Sequence, residues 1–224
     1  MTPSATGEFL FYNLVMKNIS IVLGYGIFVK PNPDYQKYLE SALDDILNCK
    51  SDLVITCGGC SNKDRPDLSE ADSIKTLFLE LHPELKSIIT TETKSLSTPE
   101  NLSQSLQLIN RHYPNPETVT VYCDSCRVPK VFYLCLSLFL KNQNLTEKEK
   151  LTILSNIYLS KLDDFSKNVE LNYQNIKVVG IALSNSMTLI SQQIISSMLE
   201  MHSFDYPDLH QQFIDWRKKK WGVN

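Results

Sequence analysis

The stretch that decides the fold is Ile19-Ser20-Ile21-Val22-Leu23-Gly24-Tyr25-Gly26. Its apolar residues run on instead of alternating with polar ones, which marks a strand buried on both faces, as in a parallel sheet. The run stops at two glycines. Asn32-Pro33 then supplies a capping residue and a proline suited to the first helical position. Tyr35, Tyr38, Leu39, Ala42, Leu43, Ile46 and Leu47 recur at spacings of three and four, the apolar stripe of a helix.

The same unit recurs along the chain. Leu53 to Thr56 reads as a second strand, ending at Cys57-Gly58-Gly59-Cys60. Ser69 caps a helix whose stripe is Ala71, Ile74, Leu77, Phe78 and Leu81. Ser87 to Thr90 reads as a third strand, and Thr98-Pro99-Glu100-Asn101 as the next helix start. Val119 to Tyr122 reads as a fourth strand running into Cys123-Asp124-Ser125-Cys126-Arg127. Pro129 opens an apolar helix ending near Leu140. Thr146 and Glu149 make a capping box, and Lys177 to Leu183 reads as a fifth strand.

This alternation predicts an α/β fold: a doubly wound, mainly parallel, Rossmann-like sheet of about five strands with extra C-terminal helices. Residues 1–18 read as a leader or arm, with Met16 an alternative start. Residues 19–224 read as one domain, with a helical insertion around 141–176 and a helical part from about 187. The chain of 224 residues, 42% apolar and 21% charged, carries enough apolar side chains for a full core and is neither collagen-like nor disordered. A net charge of −3 argues against general nucleic-acid binding. The longest apolar run, Phe132 to Leu140, is too short to span a bilayer. The N-terminus has no signal-peptide pattern, so a cytoplasmic location with reduced thiols is expected.

Ligands of doubly wound sheets bind outside the carboxyl ends of the strands. That rule selects Gly24-Tyr25-Gly26, Cys57-Gly58-Gly59, Glu92 to Asn101, Cys123 to Lys130 and Ser184-Asn185-Ser186. Glycines there let backbone N–H groups approach a ligand, and a helix N-terminus beside them favours an anion. There is no third glycine at dinucleotide-binding spacing and no phosphate-loop lysine.

Leu23-Gly24-Tyr25-Gly26, Gly58-Gly59, Ser69-Glu70-Ala71 and Glu92-x-x-Ser95-x-x-Thr98-x-Glu100-Asn101 occur in that order. Together they resemble the YdcF/SanA/ElyC-like family over roughly residues 19–140. The resemblance implies a Rossmann-like fold, a cleft lined by Gly58, Gly59, Glu70, Glu92, Ser95, Thr98 and Asn101, and S-adenosylmethionine as a candidate ligand. It also implies a link to bacterial envelope biogenesis. After the fourth strand the sequence departs from the family's Thr-Ser-x-x-His-x-x-Arg. Cys123 and Asp124 stand on Thr-Ser, Arg127 on the histidine and Lys130 on the arginine. Arginine does not exchange a proton near neutral pH, but it grips a carboxylate or phosphate with two parallel hydrogen bonds.

The leading expectation is therefore binding of a small anionic or nucleotide-like molecule by Gly24, Tyr25, Gly26, Gly58, Gly59, Glu70, Glu92, Ser95, Thr98, Asn101, Asp124, Arg127 and Lys130. An enzyme acting on a phosphorylated or envelope-precursor substrate, with Glu70 or Glu92 as acid or base, is the alternative. A degenerate member acting through protein interaction is a third reading.

Cys57-x-x-Cys60 and Cys123-x-x-Cys126 present the sulfur ligands of a zinc site. Two strand spacings, roughly 10 Å, would separate them if the first strand lay between the second and fourth. A redox pair is another reading, with Cys123 activated by the helix that follows. The reading preferred here is reduced, partly buried residues in place of threonine and serine, with Cys49 and Cys135 in the core. Trp216 and Trp221 are expected to pack the last helix onto the body.

Overall fold

A computed structural model of the chain describes residues 17–62, 64–158, 168–183, 200, 204 and 206–221. Four β-α units come first: β1 (Asn18–Leu23), α1 (Pro33–Asn48), β2 (Leu53–Cys57), α2 (Glu70–Leu81), β3 (Ile89–Glu92), α3 (Thr98–His112), β4 (Thr118–Asp124) and α4 (Val128–Phe139). Helix α5 (Glu147–Tyr158), strands β5 (Val169–Tyr173) and β6 (Ile176–Ile181) and helix α6 (Pro207–Trp221) follow. The strands form one six-stranded sheet in the order β3-β2-β1-β4-β6-β5, parallel except for the β5–β6 hairpin.

The fold is doubly wound because the central strands β1 and β4 bury both faces. Ile19, Ile21 and Leu23 of β1 pack on one side with Leu102 and Ile109 of α3 and Val131, Phe132 and Leu136 of α4. Val22, on the other side, packs with Tyr38, Leu39 and Leu43 of α1 and Ile74 and Phe78 of α2. Tyr38 is wholly buried. Its hydroxyl shares one proton between the carbonyls of Leu23, at 2.9 Å, and Tyr122, at 3.2 Å. That contact ties the carboxyl ends of β1 and β4 together. From these two strands the chain proceeds in opposite directions across the sheet, and the resulting crevice is where such folds bind ligands.

Caps form as the sequence indicates. Asn32 Oδ1 accepts from Tyr35 N, and Ser69 Oγ from Asp72 N. The cap of α3 is Ser97, one residue earlier than the expected start at Thr98, and its Oγ accepts from Glu100 N. Strand β3 falls two residues later than expected, because a 3-10 turn at Pro83–Ser87 uses the residues before it.

The stretch around 141–176, expected to be a helical insertion, also contains a strand. Val169-Glu170-Leu171-Asn172-Tyr173 alternates between inward and outward residues and pairs with β6 across a turn in which Gln174 takes a positive φ of 54°. Its alternation is the signature of an edge strand with one face in solvent. The sheet thus has six strands where about five were expected. Residues 1–16, the Ser184-Asn185-Ser186 loop and the start of the expected C-terminal helical part lie outside the described residues.

Candidate functional site

Four consecutive strand ends meet in one cleft of about 340 Å³. Gly24, Tyr25 and Gly26 enter from the end of β1, and Gly58 and Ser61 from β2. Glu70 comes from α2, Ser95 to Thr98 and Asn101 from the β3–α3 junction, and Arg127 and Lys130 from the β4–α4 junction. The cleft lies at the crevice set by β1 and β4.

The glycines serve a purpose other than the one expected of them. Three of the four N–H groups are already used: Gly24 donates to Cys57 O, Gly58 to Glu92 O and Gly59 to Ser95 O. What Gly24 and Gly58 provide is room for Glu70. A Cβ on Gly58 would stand 2.7 Å from Glu70 Cβ, and one on Gly24 would stand 2.9 Å from it. Gly58 also has a φ of +130°, which side chains other than glycine rarely adopt. The Glu70 carboxylate, in the first turn of α2, is thereby held against the strand ends and into the cleft.

Arg127 is the cation of the site. Asp124 Oδ1 accepts from Cys126 N and turns the chain off β4 through a short 3-10 turn, which leaves Arg127 immediately before α4. Arg127 is 7% exposed. Its Nη1 donates to Gly24 O at 3.1 Å, and its Cζ sits 5.5 Å from the centroid of the Tyr25 ring. Nε and Nη2, the edge that fits two oxygens of a carboxylate or phosphate, have no hydrogen-bond partner among the described residues. Burial pulls this group toward neutrality, but Tyr38, Cys123, Asp124 and Glu70 outweigh it, and its pKa is raised. Arg127 is therefore a fixed, charged, two-donor fork. Across the cleft, Asn101 is 8% exposed and its Oδ1 also lacks a partner among the described residues. It presents an acceptor where a ligand hydroxyl or amine would bind.

Lys130 is held differently. Its ammonium meets the Glu200 carboxylate at 2.6 Å, with 3% and 0% of the two side chains exposed. Glu200 also accepts from Thr98 N at 2.8 Å and lies 3.5 Å from Thr98 Oγ1. Glu200 was not singled out from the sequence. The signal present there was a lone carboxylate in the apolar run Met198-Leu199-Glu200-Met201.

Ten of the thirteen expected ligand-binding residues line the cleft, and Gly59, Glu92 and Asp124 are not among the lining residues. Glu92 is 5% exposed, and its Oε1 accepts from the N–H groups of Lys94 and Ser95, so it shapes the β3–α3 loop. Burial pushes its pKa up, partly offset by Ser95 and those two N–H groups. Gly59 approaches the same loop, where a Cβ would stand 2.7 Å from Ser95 O. Leu96 and Ser97, within the selected segment Glu92 to Asn101 but not named individually, also line the cleft, and Ser61 lines it without having been singled out.

The cysteines do not converge. Strand β1 does lie between β2 and β4. Among the described residues, no group of three or more His, Cys, Asp or Glu side chains is placed to hold a metal ion. Cys57 turns into the core, 3.1 Å from Ser105 Oγ. Burial pushes the thiol of Cys123 up to about 12 and that of Cys126 up to about 11, opposite to the activation a redox pair needs. Cys123 ends up this way because it is wholly buried in the core cluster that also holds Val128 and Val131. Cys135 is in the core as expected, whereas Cys49 ends α1 in solvent. Trp216, expected to pack the last helix onto the body, is 54% exposed and stacks on Phe213.

The fold and cleft define a Rossmann-like α/β protein with an amphoteric, ligand-sized site. Compared with models of known protein families and with curated proteins, the chain matches none. No helix among the described residues is long and apolar enough to cross a membrane.

Proposed function

We propose that this protein binds a small anionic or nucleotide-like molecule in the strand-end cleft, in the manner of the YdcF/SanA/ElyC-like proteins its motifs resemble. The observation that carries the reading is Arg127: a buried guanidinium fixed by Gly24 O and the Tyr25 ring, with Nε and Nη2 unpartnered among the described residues. Keeping a buried donor unsatisfied costs about 1–3 kcal/mol, a cost that a bound oxyanion removes. Glu70 and Asn101 add acceptors, so the matching ligand carries an anionic head next to hydroxyl or amine groups. S-adenosylmethionine, with its carboxylate, amine and ribose, fits that description. A thermal-shift screen of S-adenosylmethionine, nucleotides and sugar phosphates tests the reading. A concentration-dependent rise in melting temperature with at least one of them is expected.

An enzymatic reading is favoured by one observation. Glu70 shares the cleft with Arg127, whereas Glu92 is not among the lining residues. In that reading Glu70 handles the proton and Arg127 holds the substrate's anionic group. Turnover of a phosphorylated substrate would then be lost in Glu70→Gln and kept in Glu92→Gln.

A further inference from the structure

The cleft has two seats for negative charge, and the protein fills one of them itself. Lys130 follows Arg127 by three residues at the start of α4, a spacing that makes side chains neighbours about 5–6 Å apart. Thr98 N, at the first position of α3, has no intrahelical acceptor, and the positive end of a helix dipole attracts an anion. Lys130 and Thr98 together would suit a phosphate. Both instead hold the Glu200 carboxylate, at 2.6 Å from Lys130 Nζ and 2.8 Å from Thr98 N, with Glu200 wholly shut off from solvent. At Arg127 the situation is reversed: the residue is 93% buried, lines the cleft and keeps two donors unpartnered among the described residues.

We infer that Glu200 determines the specificity of the cleft by filling the Lys130–Thr98 seat. The ligand class is thereby limited to molecules with one oxyanion head, a carboxylate or a phosphomonoester, bound at Arg127. Molecules that present two linked phosphates are turned away. The inference rests on the proposed role of Arg127 as an anion seat. A pyrophosphate gripped by Arg127 would bring its second phosphate toward a buried carboxylate. It would have to displace that carboxylate from two strong partners or endure like-charge repulsion beside it. Nucleoside diphosphates, triphosphates and dinucleotides fall in the excluded class. Nucleoside monophosphates, sugar phosphates and amino-acid conjugates remain.

The test uses inorganic phosphate and pyrophosphate, followed by nitrogen–proton NMR at Arg127 Nε–H and at the Thr98 amide. In the wild-type chain phosphate should move Arg127 Nε–H, pyrophosphate should bind at least about tenfold more weakly, and the Thr98 amide should stay in place. In Glu200→Gln, pyrophosphate should bind about tenfold tighter than phosphate and move the Thr98 amide as well. Lys130→Met combined with Glu200→Gln should lose that gain. Pyrophosphate binding the wild-type chain as tightly as phosphate, or moving the Thr98 amide, overturns the inference without any variant being needed. So does a folded Glu200→Gln chain whose Arg127 signal responds but which gains nothing for pyrophosphate. An unresponsive Arg127 Nε–H in the wild-type chain overturns the proposed anion seat itself, and this inference with it.

Discussion

Arg127 Nη1 donates to the carbonyl oxygen of Gly24 at 3.1 Å, joining the turn after β4 to the turn after β1. These are the two strands whose ends Tyr38 also holds together. The crevice between them is therefore fixed from below by a tyrosine hydroxyl and from above by a guanidinium. A guanidinium held at one nitrogen and over one ring keeps the geometry of its remaining donors, so little ordering is left to be done when an anion arrives.

The ion pair of Lys130 and Glu200 makes a stability prediction. Removing one member of a buried pair leaves an uncompensated charge, at a cost of about 3–5 kcal/mol. Lys130→Met should lower the unfolding free energy by that order. Lys130→Met with Glu200→Gln should recover most of the loss. Denaturant unfolding of the two variants checks this, and equal losses in both would refute it.

Glu92 makes a pH prediction. Its pKa is raised by burial above the ordinary 4.5, so the folded state holds its proton more tightly than the unfolded chain does. The resulting stabilisation is fully present below pH 4.5 and is lost as pH rises through the raised native value. Glu92→Gln cannot titrate. Relative to that variant the wild-type chain should lose stability from pH 4 to pH 7, as measured by denaturant unfolding at both. A difference that does not change with pH would contradict the assignment.

Gly58 is predicted to resist even the smallest substitution. Gly58→Ala must adopt a positive φ and place a methyl 2.7 Å from Glu70 Cβ. A loss of at least about 2 kcal/mol in unfolding free energy is expected from strain and overpacking together. An alanine variant as stable as the wild-type chain would show that the turn relaxes.

Thiol reactivity separates the buried cysteines from the rest. Cys49 is exposed and Cys60 half-buried, while Cys57, Cys123, Cys126 and Cys135 are buried. An aromatic disulfide reagent should modify Cys49 and Cys60 in the native protein and all six only after denaturation. Fast native modification of Cys123 would restore the redox reading.

Much of this architecture is written locally. Strands that bury both faces interrupt their apolar residues only with small hydroxyls such as Ser20, Thr56 and Thr120, and helices capped by Asn32 and Ser69 state where they begin, so β1 through α4 are legible along the chain. Strand β5 was not, because its inward residues Val169 and Leu171 are separated by exposed Glu170 and Asn172 in a polar stretch. For the site, sequence position brings a residue to the right end of the sheet but does not aim its side chain. Glu92 and Asp124 both sit at strand ends, yet local N–H groups draw their carboxylates away from the cleft. Glu200 was illegible for another reason: what makes it significant is a lysine 70 residues upstream.

The central claim is that Arg127 grips the anionic head of a ligand. Calorimetric titration of whichever of S-adenosylmethionine, AMP and glucose 6-phosphate gives the largest thermal shift, into wild-type and Arg127→Met protein, tests it most directly. Loss of the charge-assisted fork is worth about 1.5–3 kcal/mol, so affinity should fall at least tenfold while the variant stays folded. An unchanged affinity in the folded variant, or no binding of any of the three to the wild-type chain, would contradict it.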